Sequence, residues 1–210
     1  MKGAIFDLDG VIVDTAVYHY AAWKELAKEL GFAFTQADNE RLKGVSRMRS
    51  LEILLSIGNI SASEEQKQKW AEEKNARYIQ LLENLNEGSL LDGARDYLQY
   101  LHENGVLISL GSASKNAPLI LEKTGISHFF DAIVDGNSVS KAKPDPEIFL
   151  TAAGLLGLEP ADCTVFEDSQ AGIDAALAGG FHTVAVDRYH VLQKAERYIE
   201  TLADLLKDKS

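Results

Sequence analysis

Cysteine is nearly absent from this chain: Cys163 stands alone among 210 residues, so no internal disulfide can form. It lies beside the apolar run "TVF" and reads as a buried thiol. Basic residues are scarce as well, with 21 Lys and Arg against 32 Asp and Glu and a formal net charge of -11. That balance argues against nucleic acid and against anionic membranes as partners, since both need a basic face. An anionic small ligand stays open if local cations or a metal offset the field. No run approaches the ~20 apolar residues of a membrane span, and the N-terminal residues lack the basic-then-apolar pattern of a secretion signal. Internal repeats and low-complexity tracts are missing too. A cytoplasmic enzyme or binding protein is expected.

Hydrophobic residues make up 46% of the chain, enough for a large core or a core with a smaller companion. Short apolar runs recur at 3–6, 106–110, 132–134, 164–166 and 183–186. From residue 92 onward they alternate with helical patterns. In "DGARDYLQYLHENG", Ala94, Tyr97, Leu98 and Leu101 form an apolar stripe and Gly105 is a stop signal. Pro146 stands where the helix in "DPEIFLTAAGLLG" should begin. The alternation predicts an α/β fold, a Rossmann-like parallel sheet with helices on both faces.

Between the first and second strands the pattern is helical only, over roughly 15–30, 36–57 and 64–85. This block predicts an inserted small α-helical domain, residues 15–87, in a core built from 1–14 and 88–210. The joints near 10–15 and 86–92 carry Gly10, Gly88 and Gly93, candidate hinges. Asp14 reads as a hinge or helix N-cap residue.

Ligands of open parallel sheets gather at the carboxyl ends of the strands. Strand one is followed by Asp7 and Asp9, strand two by "GSASKN", and "TVF" by Glu167, Asp168 and Ser169. Lys143 lies between the third strand and the helix that follows Pro146. Clustered carboxylates at a strand rim suit a hard divalent cation, and Mg²⁺ needs only one or two of them besides waters and a phosphate. Ser112, with free backbone N–H groups of the Gly111–Ser114 turn, is expected to cradle phosphate oxygens, and Lys143 to add a fixed positive charge. An Asp nucleophile in such a nest can form an aspartyl-phosphate, and a carboxyl two residues on can shuttle the proton. Asp7 is thus the candidate nucleophile and Asp9 the candidate acid/base. His102, His128, His182 and His190 have no metal-ligand spacing.

"DLDGVIVDT", "GSASKN", "KAKPDPEIF" and "FEDSQAGI" together resemble the four ordered motifs of the haloacid dehalogenase superfamily of phosphoryl-transfer enzymes. The resemblance spans residue 2 to about 187 and puts the helical block where that superfamily carries its small cap. It implies Asp7 as nucleophile, Asp9 as general acid/base, and Ser112 and Lys143 on the transferring phosphate. Asp7, the backbone carbonyl of Asp9, Glu167 and Asp168 would form the Mg²⁺ site. One departure is "TVAVDRYH", without a glycine after the last strand expected.

"DTAVYHYAAWKELA", "LKGVSRMRSLE" and "KNARYIQLL" are similar to the hexose-phosphate mutases of that superfamily, which work through a bisphosphate. This likeness implies substrate-binding roles for Thr15, His19, Trp23, Gly44, Val45, Ser46, Arg47 and Lys74 in the cap. Ala113, Ser114, Lys115 and Asn116 would serve the sugar-phosphate side of the core. Arg47 would hold the phosphate not being transferred, and Thr15, His19 and Lys74 would couple cap closure to Asp9. The expectation is a monomeric Mg²⁺-dependent hexose-phosphate mutase acting on a small sugar phosphate. A sugar-phosphate phosphatase with the same core is the alternative. A non-catalytic phosphate-sensing module ranks third, because binding alone needs no nucleophile–acid pair.

Overall fold

The structure, a computed structural model, describes residues 1–42 and 45–207. In chain order the elements are β1 (Gly3–Phe6), α1 (Ala16–Glu29), α2 (Gln36–Glu40), α3 (Arg47–Ile57), α4 (Glu64–Leu81) and α5 (Ala94–Glu103). There follow β2 (Leu107–Gly111), α6 (Ala117–Lys123), β3 (Ala132–Val134), α7 (Glu147–Leu156) and β4 (Cys163–Glu167). The chain ends with α8 (Gln170–Ala178), β5 (His182–Val186), β6 (Arg197–Ile199) and α9 (Asp204–Lys207). It divides into two compact units, one of Thr15–Leu85 and one of Met1–Asp14 with everything from Asn86 onward.

The larger unit is an α/β layer structure on a six-stranded sheet of order β3-β2-β1-β4-β5-β6, every pairing parallel. All four residues of β1 are buried, as expected of a central strand covered on both faces. Ile5 and Val165 point to one face, where Phe149, Ala152 and Ala153 of α7 and Ala175 and Ala176 of α8 close over them. Phe6 and Phe166 point to the other and stack at 4.5 Å, with Tyr97 of α5 edge-on to both. Period-2 alternation therefore decides which helix meets which residue. The stripe Ala94, Tyr97, Leu98 and Leu101 is the buried face of α5. Just past its end, Gly105 adopts φ +70°, a left-handed conformation in which glycine carries no Cβ penalty.

One strand is an addition to the sequence reading. β6 pairs with β5 through Arg197, Tyr198 and Ile199, but only Ile199 is buried. Three residues with two facing water carry no alternation to detect, and tertiary pairing alone makes them a strand. The two joints bond to each other within this unit: Leu91 N–H donates to Ile12 O at 2.9 Å, and Val13 bridges Leu90.

In the helical unit, Trp23, Leu26, Ala27, Phe34, Leu51, Leu54 and Ala71 pack into a core of their own. The helix expected over 36–57 is two helices. Thr35 opens α2 with a capping box to Asp38, and α3 starts afresh at Ser46, whose hydroxyl accepts the Arg49 N–H at 3.3 Å. α2 is a single turn whose only buried residue is Asn39, so it carries no apolar periodicity that would set it apart from α3 in the sequence. Ser63 and Gln66 form the capping box of α4, which stops at Leu81 and gives way to a tighter turn at Leu82–Asn84. Asp14 does not cap α1: the N-cap position is Thr15, without a side-chain cap bond, and Asp14 is exposed. Among the described residues no helix is long and apolar enough to cross a membrane.

Candidate active site

Register decides what meets at the sheet rim. Phe6 is level with Leu110 of β2 and with Phe166 of β4, so Asp7, Gly111 and Glu167 leave their strands at the same height. β1 is also where the strand order reverses, the usual crevice of an open parallel sheet. The Asp7 N–H closes the ladder on Phe166 O at 2.9 Å, which fixes the direction in which its side chain leaves.

Three charged side chains from distant segments meet there. Lys143 Nζ donates to Asp7 Oδ1 at 2.6 Å and to Glu167 Oε1, and its side chain is only 1% exposed. The other Glu167 oxygen accepts from the Ser169 N–H and hydroxyl, both at 2.8 Å. Beneath the ammonium lies the ring of Phe149, with its centroid 4.8 Å from Nζ. Burial works against the Lys143 charge, but Asp7 and Glu167 outweigh it and hold the ammonium protonated above its ordinary range. Burial pushes the Asp7 carboxyl up to about 6; Lys143 pulls it down and Glu167 pushes it up. The Lys143 ammonium thus favours the ionised Asp7 carboxylate against its burial.

Glycines lock the other carboxylates. A Cβ on Gly10 (φ +82°) would fall on the Asp168 carboxylate, and one on Gly172 would fall on that of Glu167. Asp168 is thereby packed on the loop that carries Asp9, where Gly10 N–H donates to Val13 O at 2.9 Å. Asp7, Glu167 and Asp168 outnumber the Lys143 ammonium set among them, a donor set that suits a hard divalent ion. Among the described residues no three His, Cys, Asp or Glu side chains are grouped closely enough to hold a metal by themselves. A cation there would draw on backbone carbonyl and water, as Mg²⁺ commonly does.

Ser112 is buried after β2. The turn's N–H groups are less free than expected: Ser112 N–H donates to Val134 O at 3.0 Å, and Ser114 N–H to Ser112 Oγ at 3.1 Å. Asn116 N–H donates to Ser114 Oγ at 3.3 Å; Ala113 is half-buried and Lys115 exposed. Short serine side chains thus stand on the side toward which these N–H groups point.

In the helical unit, α1 and α4 bring His19, Trp23 and Lys74 together. Lys74 is 2% exposed and sits over the rings of Trp23 (4.5 Å) and Tyr78 (4.7 Å). Its ammonium is 2.8 Å from His19 Nδ1, and the His19 ring stacks on Tyr78 at 4.0 Å. An ammonium can only donate, so Nδ1 accepts and the ring proton is on Nε2. Burial, then Lys74 and Arg47, hold the His19 pKa well below its ordinary value. Thr15 is fully buried, Val45 and Ser46 are half-buried, and Arg47 opens α3. Gly44 lies outside the described residues. Sequence reasoning placed Ser169 after its strand without a role and missed Phe149 and Tyr78; each holds a charged neighbour, and nothing in its own spacing signals that role.

A family model described as haloacid dehalogenase-like hydrolase matches residues 1–180. The chain is 42% identical to a β-phosphoglucomutase of Bacillus subtilis, over 98% of this chain and 92% of that protein. It is 32% identical to a fructose-1-phosphate phosphatase of Escherichia coli, over 88% of this chain and 95% of that protein. The crystal structure of a β-phosphoglucomutase from Clostridium difficile superposes with a TM-score of 0.93 at 43% identity, covering 98% of this chain and 93% of that one.

Proposed function

We propose that this chain, which belongs to the haloacid dehalogenase-like hydrolase family, is a β-phosphoglucomutase. It would convert β-glucose 1-phosphate to glucose 6-phosphate through glucose 1,6-bisphosphate. The observation that carries this reading is the buried Asp7–Lys143–Glu167 cluster at the sheet's reversal point, in a chain 42% identical to a β-phosphoglucomutase over nearly its whole length. A sugar-phosphate phosphatase is the second reading, favoured by the fructose-1-phosphate phosphatase at 32% identity.

Asp7 Oδ attacks the phosphorus of the bound phosphate monoester, and the bond from phosphorus to the leaving oxygen breaks. Asp9 protonates that oxygen, and in the return half-reaction removes the proton from the sugar hydroxyl that takes the phosphoryl group back. Lys143 and Ser112 hold the equatorial oxygens as their charge redistributes. Ala113, Ser114, Lys115 and Asn116 line the sugar-phosphate side. Mg²⁺, on which this family generally depends, would neutralise the crowded phosphate and carboxylate charge; Asp7, Asp168 and the Asp9 carbonyl would hold it, with Glu167 completing the anionic wall. In the proposed cap, residues 15–87, Arg47 grips the distal phosphate with its forked guanidinium. Thr15, His19, Trp23, Val45, Ser46 and Lys74 serve the sugar and Asp9. Nothing in the core chemistry separates mutase from phosphatase; the aspartyl-phosphate must be kept from water for the mutase to prevail.

The test mixes enzyme, Mg²⁺, β-glucose 1-phosphate and a trace of glucose 1,6-bisphosphate. Glucose 6-phosphate without stoichiometric inorganic phosphate is the expected result; rapid phosphate release with little isomer assigns the phosphatase instead.

A further inference from the structure

The segment after β3 makes contacts that the chemistry above leaves unused. Val134 is level with Gly111 in the sheet, so the residues that follow β3 run beside the turn that follows β2. Three consecutive carbonyls of that turn face this segment. A Cβ on Gly136 would fall on the Ala113 carbonyl oxygen, well inside contact distance, so backbone meets backbone there. The Gly136 N–H donates to Ser114 O at 3.4 Å, and Asn137 Nδ2 donates to Lys115 O at 3.2 Å.

A trans peptide points its N–H opposite to its C=O. With the carbonyls of Ala113, Ser114 and Lys115 held toward the second segment, the N–H groups of Ser114, Lys115 and Asn116 face the other way. That is the side on which Ser112 Oγ and Ser114 Oγ accept two of those N–H groups. Consecutive N–H groups pointing one way make an anion-binding concavity.

The segment is itself braced. Asp135, buried, accepts from Asn137 N–H at 2.9 Å, from Asn137 Nδ2 at 3.0 Å and from Ser138 Oγ at 2.9 Å. The Asn137 amide therefore has one hydrogen on its own loop and one on the turn, and it is aimed by Asp135 rather than by packing, since Asn137 is exposed.

We propose that Gly136 and Asn137 are positioning residues for the phosphate-binding turn, fixing carbonyls 113–115 so that the Lys115 N–H and the serine hydroxyls oriented by the Ser114 and Asn116 N–H groups face the transferring phosphate. The inference rests on the phosphoryl-transfer reading, but its test does not need turnover. Inorganic phosphate in the presence of Mg²⁺ is titrated into wild-type and variant protein by calorimetry, and Mg²⁺ alone is titrated separately.

Asn137→Ala removes one neutral hydrogen bond to the turn, so phosphate binding is expected to weaken about threefold to tenfold. Mg²⁺ affinity should stay as in wild type, while the thermal midpoint should fall by a few degrees because the buried Asp135 carboxylate loses the Asn137 amide. Asn137→Gln, which keeps the amide, should recover part of the loss. Gly136→Ala should weaken phosphate more, since the new methyl must push the Ala113 carbonyl away. Weakened phosphate binding in Asn137→Ala without any mutase turnover in wild type would sink the β-phosphoglucomutase reading and leave this inference standing. Unchanged phosphate affinity in Asn137→Ala overturns the inference. So does an equal loss of Mg²⁺ affinity, or wild-type protein that binds no phosphate.

Discussion

Replacing Lys143 by Met isolates what the central ammonium does. Methionine keeps an unbranched stem over the Phe149 ring and removes the charge shared by Asp7 and Glu167. Removing one partner of a buried ionic pair costs about 3–5 kcal/mol, because the remaining charges stay buried without compensation. For a protein of this size that is about 6–20 °C in the melting temperature of the unit. The loss should depend on pH. Asp7 has a folded pKa of about 6, above the ordinary carboxylate value of 3.8, so its contribution is fully present at low pH and is lost as pH rises through about 6. Without Lys143 the pull that lowers Asp7 is gone, its folded pKa rises further, and the loss extends to higher pH. Lys143→Met should therefore lag wild type more at pH 8 than at pH 5. The assay is thermal and urea unfolding at both pH values in EDTA, so that no divalent cation substitutes for the ammonium. Adding Glu167→Gln should restore roughly 1–3 kcal/mol by removing the like-charge neighbour. A Lys143→Met protein as stable as wild type at pH 8, or one whose deficit is larger at pH 5, would refute the electrostatic account.

Gly172→Ala puts a methyl into the Glu167 carboxylate, so Glu167 must leave Ser169 and Lys143. A displacement of that size should cut kcat about a hundredfold; turnover within twofold of wild type would show that Glu167 does not align the site. Arg47→Ala should raise the KM for sugar phosphate about tenfold to hundredfold while leaving Mg²⁺ affinity unchanged, and equal losses would remove Arg47 as the distal clamp. His19 has a folded pKa below the ordinary 6.5, so its stabilising contribution is present above pH 6.5 and lost as pH falls toward the folded value. The decline in that window should approach about 1.4 kcal/mol per pH unit. Melting temperature against pH reads it: wild type should fall faster than His19→Gln below pH 6.5, and parallel curves would mean that His19 is not held neutral.

Much of this molecule was legible because some residue types betray their surroundings. Fully apolar four-residue runs such as Gly3–Phe6 demand burial on both faces, and acids set directly after them demand a compensating ligand. Caps and stripes speak locally too, as at Ser63 with Gln66 or along Ala94, Tyr97, Leu98 and Leu101. β6, the break between α2 and α3, and the start of α1 at Thr15 rather than Asp14 were not legible, because each is decided by what packs or pairs with it from elsewhere in the chain.

The same division runs through the candidate site. Residue chemistry in the chain determined that acids, a lysine and a serine follow strand ends, and hence that phosphoryl transfer was the chemistry to expect. Only tertiary structure decided that Lys143 is shared between Asp7 and Glu167, that Ser169 takes the second Glu167 oxygen, and that Asn137 reaches the Lys115 carbonyl. Charge and hydroxyl type are properties of single residues and can be read one at a time. Whether an oxygen meets an ammonium or water depends on strand register, on glycines that admit close approach, and on burial that strengthens each pairing.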